Sequence, residues 1–283
     1  MKATRLYRLR FIWQRTHVTV TATASMKFGF RLNSKLAVGS RAAGLALFSV
    51  ASTSGTSDSS GSQGGNVTKV VLTGGPCGGK STILESIKTR FEGEGYKVFS
   101  VPEIPTMMIA GGCEYPGHDG REKLMAFETA LIKLQIQAEE SFLAVARSTG
   151  QKSIVVFDRG LLDIPAYLPE EQWAQVLRAN RHLLGPIYET NGGGSLHQGE
   201  AALAARYDMV LHLVTAADGA ERFYTSANNA ARTETAPEAR ALDLKVRNSW
   251  SRQHKNVAVI DNSTPFAEKC DRAISALAIF LEA

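Results

Sequence analysis

The chain has 283 residues, 44% of them hydrophobic and 21% charged, an ordinary globular composition that excludes a disordered or fibrous protein. No run approaches the roughly 20 apolar residues of a spanning helix, and three cysteines without C-x-x-C spacing (Cys77, Cys113, Cys270) exclude a disulfide scaffold or a cysteine zinc site. The net charge of +5 points to no nucleic-acid partner, because nine Lys/Arg and no acid lie ahead of Asp58, which leaves the remainder mildly acidic.

That basic leader is rich in Arg, Ser, Thr and Ala, the composition of an organelle transit peptide for a mitochondrion or plastid. A secretory signal read from Met26, or an untargeted cytoplasmic tail, are the alternatives. Residues 52–65 (STSGTSDSSGSQGG) read as a flexible linker. The expected division is therefore a leader and linker over 1–65 and one folded domain over 66–283.

From Val67 the texture changes. Val67 to Thr73 reads as a buried strand, GGPCGGKS follows over 74–81, and Ile83, Leu84, Ile87 and Phe91 share one helical face closed by Gly93 and Gly95. Strand, glycine-rich turn and helix are the setting a phosphate-binding loop requires, and Gly74, Gly79, Lys80 and Ser81 match G-x-x-x-x-G-K-[ST]. In such a loop the backbone N–H groups of Gly74, Gly75, Pro76, Cys77, Gly78, Gly79, Lys80, Ser81 and Thr82 (proline excepted) and the helix start surround phosphate oxygens. Lys80 reaches the outer phosphates, and Ser81 ligates Mg²⁺.

Further strands are expected over 97–101, 153–157, 209–214 and 257–260. Between them a long helix buries Leu124, Phe127, Leu131, Leu134, Ala138 and Phe142, and a shorter one buries Trp173, Val176 and Leu177. Ala239, Leu242, Val246 and Trp250 mark another helix, and a last one, opened by Pro265, turns Cys270, Ala273, Ile274, Leu277 and Leu281 inward. Apolar strands alternating with helices imply a three-layer α/β domain whose parallel sheet is covered on both faces. Residues 111–120 read as a mobile loop beside the site, and 191–200 as a surface insertion.

Asp158, ending the third strand, is the expected second metal partner, with a helix cap or an ion pair to Arg159 as its structural alternative. Glu103, after the second strand, is placed to accept a proton from a substrate hydroxyl or to hold a substrate polar group. Arg222, Arg232, Arg240 and Arg247 fall between the fourth and fifth strands, where a mobile segment could neutralise transferring charge. Of these, Arg232 and Arg240 join Lys80, Glu103 and Asp158 as the expected catalytic set.

TGGPCGGKS, Val101-Pro102-Glu103, VVFDRG and the TAADGAERFY, ARTE and DNST segments together resemble the NadR-type AAA/kinase-like P-loop domain. The resemblance runs from Val67 to about Leu281. It implies a P-loop NTPase fold with five parallel strands in the order 2-3-1-4-5, and Mg²⁺-dependent nucleotide binding by Gly75, Gly78, Gly79, Lys80 and Ser81 with Asp158 near the metal. The chain has Phe127-Glu128 where the family resembles Phe-Gln. Members that also bind acidic lipids carry a further C-terminal domain; this sequence ends at Ala283, so no lipid partner is expected. Absence of N-K-x-D favours ATP, whereas the GTP-binding members favour GTP. Two functions follow: phosphoryl transfer to a small-molecule hydroxyl, or a nucleotide-binding switch that turns over slowly and acts through a partner.

Overall fold

The computed structural model describes residues 66–117, 121–184, 194–224 and 234–283. The leader and linker expected over 1–65 lie outside the described residues, as does Arg232. Strands β1 (Val67–Thr73), β2 (Lys97–Val101), β3 (Ser153–Asp158), β4 (Met209–Leu213) and β5 (Val257–Ile260) form one five-stranded sheet in the order β2-β3-β1-β4-β5. All neighbouring pairs are parallel, with Leu72 beside both Asp158 and Leu211, and Thr73 beside His212. The expected fold and strand order are therefore the observed ones. The order reverses around β1, so a crevice opens beyond the carboxyl ends of β1, β3 and β4, where open α/β sheets bind ligands.

Seven helices cover the sheet among the described residues: α1 (Lys80–Gly93), α2 (Ile104–Ala110), α3 (Arg121–Ser148), α4 (Glu170–Ala179), α5 (Leu196–Ala204), α6 (Ala236–Gln253) and α7 (Phe266–Glu282). Side chains alternate along each strand and feed two cores. Val70, Leu72, Ile154, Val156 and Leu211 meet Ile83, Ile87 and Phe91 of α1 and Ala273 and Leu277 of α7. On the opposite face, Val71, Val155, Phe157 and Val210 meet Leu124 and Leu131 of α3, Trp173 of α4, Leu203 of α5, and Val246 and Trp250 of α6.

Some expected details shift. The buried positions of α3 are Leu124, Glu128, Leu131, Ile132, Gln135, Ile136, Glu139, Leu143 and Ala146, whereas Leu134 is 37% exposed and Phe127, Ala138 and Phe142 are half-buried. Three polar residues take places that an apolar pattern assigns elsewhere. On α6, likewise, Asp243 joins Ala239, Val246 and Trp250 on the inner face while Leu242 is half-buried. Helix α2 occupies Ile104–Ala110 just ahead of the segment expected as a loop, nucleated by Pro105 in its first turn. Within the expected insertion, Ser195 and Gln198 close a capping box that starts α5.

Behind the site, a 3₁₀ helix (Leu161–Tyr167) leaves β3 and packs on α6. Trp250 is fully buried there, edge-on to Tyr207, and donates from Nε1 to Asp163 Oδ1 at 2.6 Å. Gly160 lies flat against this indole: a Cβ would fall 2.6 Å from Trp250 Cζ2. The Gly160→Ala variant is expected to lose about 1–3 kcal/mol of stability through overpacking, measured as a lower denaturant midpoint with unchanged slope.

Candidate functional site

The loop between β1 and α1 turns back under the carboxyl end of β4. Gly74 has φ 132 and its Cα lies so close to β4 that a Cβ would sit 2.0 Å from the Leu213 carbonyl oxygen, so no other residue fits. Cys77 takes a left-handed φ of 57. The outer wall is held by side chains: Thr215 Oγ1 donates to the Pro76 carbonyl at 2.5 Å, and Asp243 Oδ1 accepts from the N–H groups of Gly75 (2.6 Å) and Thr215 (3.1 Å). Gly79 ends the loop at φ 94 and precedes the first turn of α1, where Ser81 and Thr82 are exposed.

Arg159 leaves β3 with a left-handed φ of 71, a costly conformation for a residue with a Cβ. That turn sends the guanidinium across the crevice. Its Nε donates to Glu103 Oε1, and its terminal nitrogen to Asp163 Oδ2 (3.1 Å) and the Gly74 carbonyl (3.4 Å). Asp163 also accepts from Thr73 Oγ1 at 2.6 Å, and Glu103 Oε2 from Thr106 Oγ1 at 2.7 Å. The Arg159 carbonyl accepts from Gln135 of α3 at 3.2 Å. Arg159 therefore pairs with Glu103 and Asp163, and the sequence alternative of an Asp158–Arg159 ion pair is not what forms. Burial favours the neutral form of Glu103, but the Arg159 charge, the Thr106 hydroxyl and Lys80 together hold its carboxyl below the usual carboxylate range.

With both of those acids taken, Lys80 has no carboxylate partner among the described residues. Its Nζ rests on the carbonyls of its own loop, Gly74 at 3.2 Å and Gly75 at 3.3 Å. Burial, helped by the Arg159 charge, lowers its pKa to about 8. Asp158 has the complementary deficit. Its Oδ1 is buried with no hydrogen-bond partner, and burial together with the Glu103 charge raises its pKa. A buried oxygen left unpaired costs free energy unless a cation or donor meets it, so Asp158 and the exposed Ser81 hydroxyl fit a hard, oxygen-loving cation such as Mg²⁺. A cation that seeks an anion and an acid that seeks a cation share one crevice.

The arginines are spread more widely. Arg240 donates to the Ala217 carbonyl at 2.7 Å, pinning α6 to the loop after β4. Arg222 is exposed and stacks over Phe223, and Arg247 is half-buried farther along α6. The residues that sequence reasoning missed are Asp163, Asp243, His212 and Thr215. His212 lies fully buried on β4 with Nε2 3.2 Å from Asp243 Oδ2, and its Nδ1 is buried without a partner. Burial would raise the Asp243 pKa, but hydrogen bonds from His212, Gly75 and Thr215 hold it below the usual range. An acid on the apolar face of a helix was the available signal for Asp243, and an acid within an apolar 3₁₀ turn was that for Asp163.

A family model described as an AAA domain matches residues 69–269, from β1 into α7. The chain belongs to this family. Its P-loop α/β fold and lysine-bearing loop make it a nucleotide-binding domain of that class. No curated protein matches the chain closely enough to serve as a named relative. No described helix is long and apolar enough to cross a membrane.

Beside the crevice, Glu128 of α3 is only 3% exposed, and no hydrogen bond or ion pair holds it among the described residues. Burial pushes its pKa up to about 7, and its charge adds to burial in pushing Tyr115 up to about 12. An acid whose pKa is raised by folding keeps its proton in the native state while the unfolded chain has already released it. Stability should therefore fall as pH rises from about 4.5 to about 7 and then level off. The Glu128→Gln variant removes this dependence. It should be more stable than wild type at pH 8, by on the order of 2 kcal/mol, and equal to it near pH 4, as thermal unfolding across that range will show.

Proposed function

We propose that the domain binds a purine nucleoside triphosphate with Mg²⁺, ATP in the first place, and transfers the terminal phosphoryl group to a small hydroxyl-bearing substrate. The observation that carries this reading is the pairing of two deficits: Lys80 without a carboxylate and Asp158 with an orphaned buried oxygen. A triphosphate supplies the anion, and Mg²⁺ held by Asp158 and Ser81 would neutralise phosphate charge. The likeness to NadR-type domains supports the choice of a kinase-like reaction, and the missing N-K-x-D supports ATP over GTP.

The chain's own groups then have distinct tasks. Loop N–H groups and Lys80 hold the phosphates, and their fixed positions avoid reorganisation during transfer. Glu103 orients the acceptor hydroxyl and receives its proton while the new P–O bond forms and the bond to the departing diphosphate breaks. The lowered pKa of Glu103 keeps its carboxylate ionised at neutral pH and so able to accept that proton. Arg240 would offset negative charge from α6, and Arg232, outside the described residues, is the second arginine expected to do so. The Arg159 and Thr106 contacts that restrain Glu103 favour the second reading, a nucleotide-binding switch with slow turnover.

Single-turnover assays with ATP, Mg²⁺ and a panel of nucleosides, vitamin ribosides and sugars separate the two. Under the kinase reading, Glu103→Gln lowers the transfer rate by roughly 10²–10⁴-fold while nucleotide affinity stays nearly intact. Transfer to nothing on the panel, with Glu103→Gln altering only partner binding, replaces it with the switch. Under both readings Lys80→Ala weakens triphosphate binding by roughly 10- to 100-fold, read by calorimetry. Wild-type affinity in that variant refutes the phosphate site.

A further inference from the structure

Phe266 opens α7 with its ring 45% exposed, an unusual place to leave so large an apolar surface at a helix start. Its position is tied to the phosphate loop. A Cβ on Gly79 would fall 2.5 Å from Phe266 Cε2 and 2.9 Å from Cζ, so the ring edge rests directly on the Gly79 backbone, one residue before Lys80. The ring therefore lies beside the first turn of α1, where Ser81 and Thr82 present exposed side chains. A triphosphate seated on the loop carries its nucleoside past that turn.

The preceding turn, 261–264, supplies the polar groups nearest to this ring in sequence, and most of them are already engaged. Asp261 Oδ1 accepts from Ser263 Oγ (2.6 Å) and its backbone N–H (3.2 Å), and pairs with Arg272 at 2.8 Å. These bonds hold the Asp261 carboxyl down to about 2. Asn262 Nδ2 donates to the carbonyls of Thr215 (2.8 Å) and Asp218 (2.6 Å), while its Oδ1 accepts from Lys269 Nζ at 2.8 Å. Arg272 also donates to Ser263 Oγ and Thr264 Oγ1, at 3.1 and 3.3 Å. Lys269 is itself buried and held at the Val214 carbonyl, 2.8 Å away. Most of the turn is held internally: reading a base edge with Asn262 or Ser263 would mean breaking one of those contacts, and Asp261 Oδ2 and the Thr264 hydroxyl proton are the polar groups of its side chains left outside them.

We infer that Phe266 is the nucleobase platform of this domain, and that the base is held chiefly by stacking on its ring, with the side chains of the 261–264 turn largely tied up in their own contacts. The inference rests on the phosphate-site reading above and adds the selectivity of that site. Every purine has a π-face of similar size, so stacking contributes affinity with little discrimination. ATP and GTP should then bind within about tenfold of each other, their relative cellular abundance deciding which one occupies the site.

Calorimetry with ATP, GTP and inorganic tripolyphosphate, each with Mg²⁺, tests this on the full chain. Phe266→Ala should weaken ATP and GTP alike, by roughly 5- to 100-fold, and leave tripolyphosphate affinity unchanged. Phe266→Leu, which keeps an apolar contact with Gly79, should behave like the alanine variant, and Phe266→Trp should restore nucleotide binding. Unchanged nucleotide affinity in Phe266→Ala, or a wild-type preference above a hundredfold for one base, overturns the platform while tripolyphosphate binding leaves the phosphate site standing. An equal loss for tripolyphosphate assigns Phe266 to loop packing and also overturns it. Wild-type protein that binds none of the three overturns the phosphate site and the platform together.

Discussion

The Arg159 guanidinium is the interaction on which the architecture of the crevice depends. It is held in a left-handed turn at the end of β3 and satisfies carboxylates from two directions, Glu103 after β2 and Asp163 on the 3₁₀ helix. Through Asp163 it reaches Thr73 at the end of β1 and Trp250 in α6, and through its own carbonyl it reaches Gln135 in α3. Five separate pieces of chain are thus referenced to one cation. A buried cation of this kind is tolerable because two carboxylates and a backbone carbonyl meet it, and removing one of the acids leaves its charge undercompensated. The strained φ is the local cost of aiming that side chain where the carboxylates are.

That allocation determines the chemistry of the remaining groups. Had either acid been free to face Lys80, the lysine would be neutralised in place, and an incoming phosphate would have to displace a buried ion pair. With Glu103 and Asp163 engaged elsewhere, Lys80 rests on neutral carbonyls and keeps a lowered pKa, while Asp158 keeps an unfilled oxygen. Both imbalances are unfavourable on their own, and under the proposed function one ligand, an anion carrying a divalent cation, would relieve them together. Binding free energy is then drawn from groups that the fold holds short of partners, which is how a preorganised site differs from a polar patch.

The strands of the sheet and the phosphate loop were legible in the sequence because their signals are local and apolar or glycine-based, whereas the strand order came from the resemblance to NadR-type domains. Val67–Thr73, GGPCGGKS and the Ile83–Ile87–Phe91 face occur within one short stretch and constrain each other. The Arg159 network was not legible, since its members lie 56 residues apart for Glu103 and 87 apart for Asp163 and Trp250, and no periodicity links them. Asp243 was hidden for a related reason: the apolar pattern of its helix reads Leu242 inward, while the fold gives that place to the acid that holds Gly75. The phase of α3 was displaced in the same way by Glu128, Gln135 and Glu139.

The buried acids that displace an expected apolar face fall on one side of the sheet. Helices α1 and α7 pack through almost wholly apolar residues, with Lys269 the buried exception among described residues; α1 buries Ile83, Ile87 and Phe91 of its expected face, and α7 buries Ala273 and Leu277 with Cys270, Ile274 and Leu281 half-buried. Helices α3 and α6, on the other side, bury Glu128, Gln135, Glu139 and Asp243 between their apolar contacts. An apolar layer tolerates small slips of register at a cost spread over many weak contacts. A layer with paired buried acids does not, because a slip at Glu139 or Asp243 leaves a desolvated charge without its donors. The layer that carries these acids is consequently the one that fixes the positions of the phosphate loop and of Arg159, and the apolar layer beneath α1 supplies cohesion. Precision and cohesion come from opposite faces of the same sheet, and the crevice opens at the strand ends where the two meet.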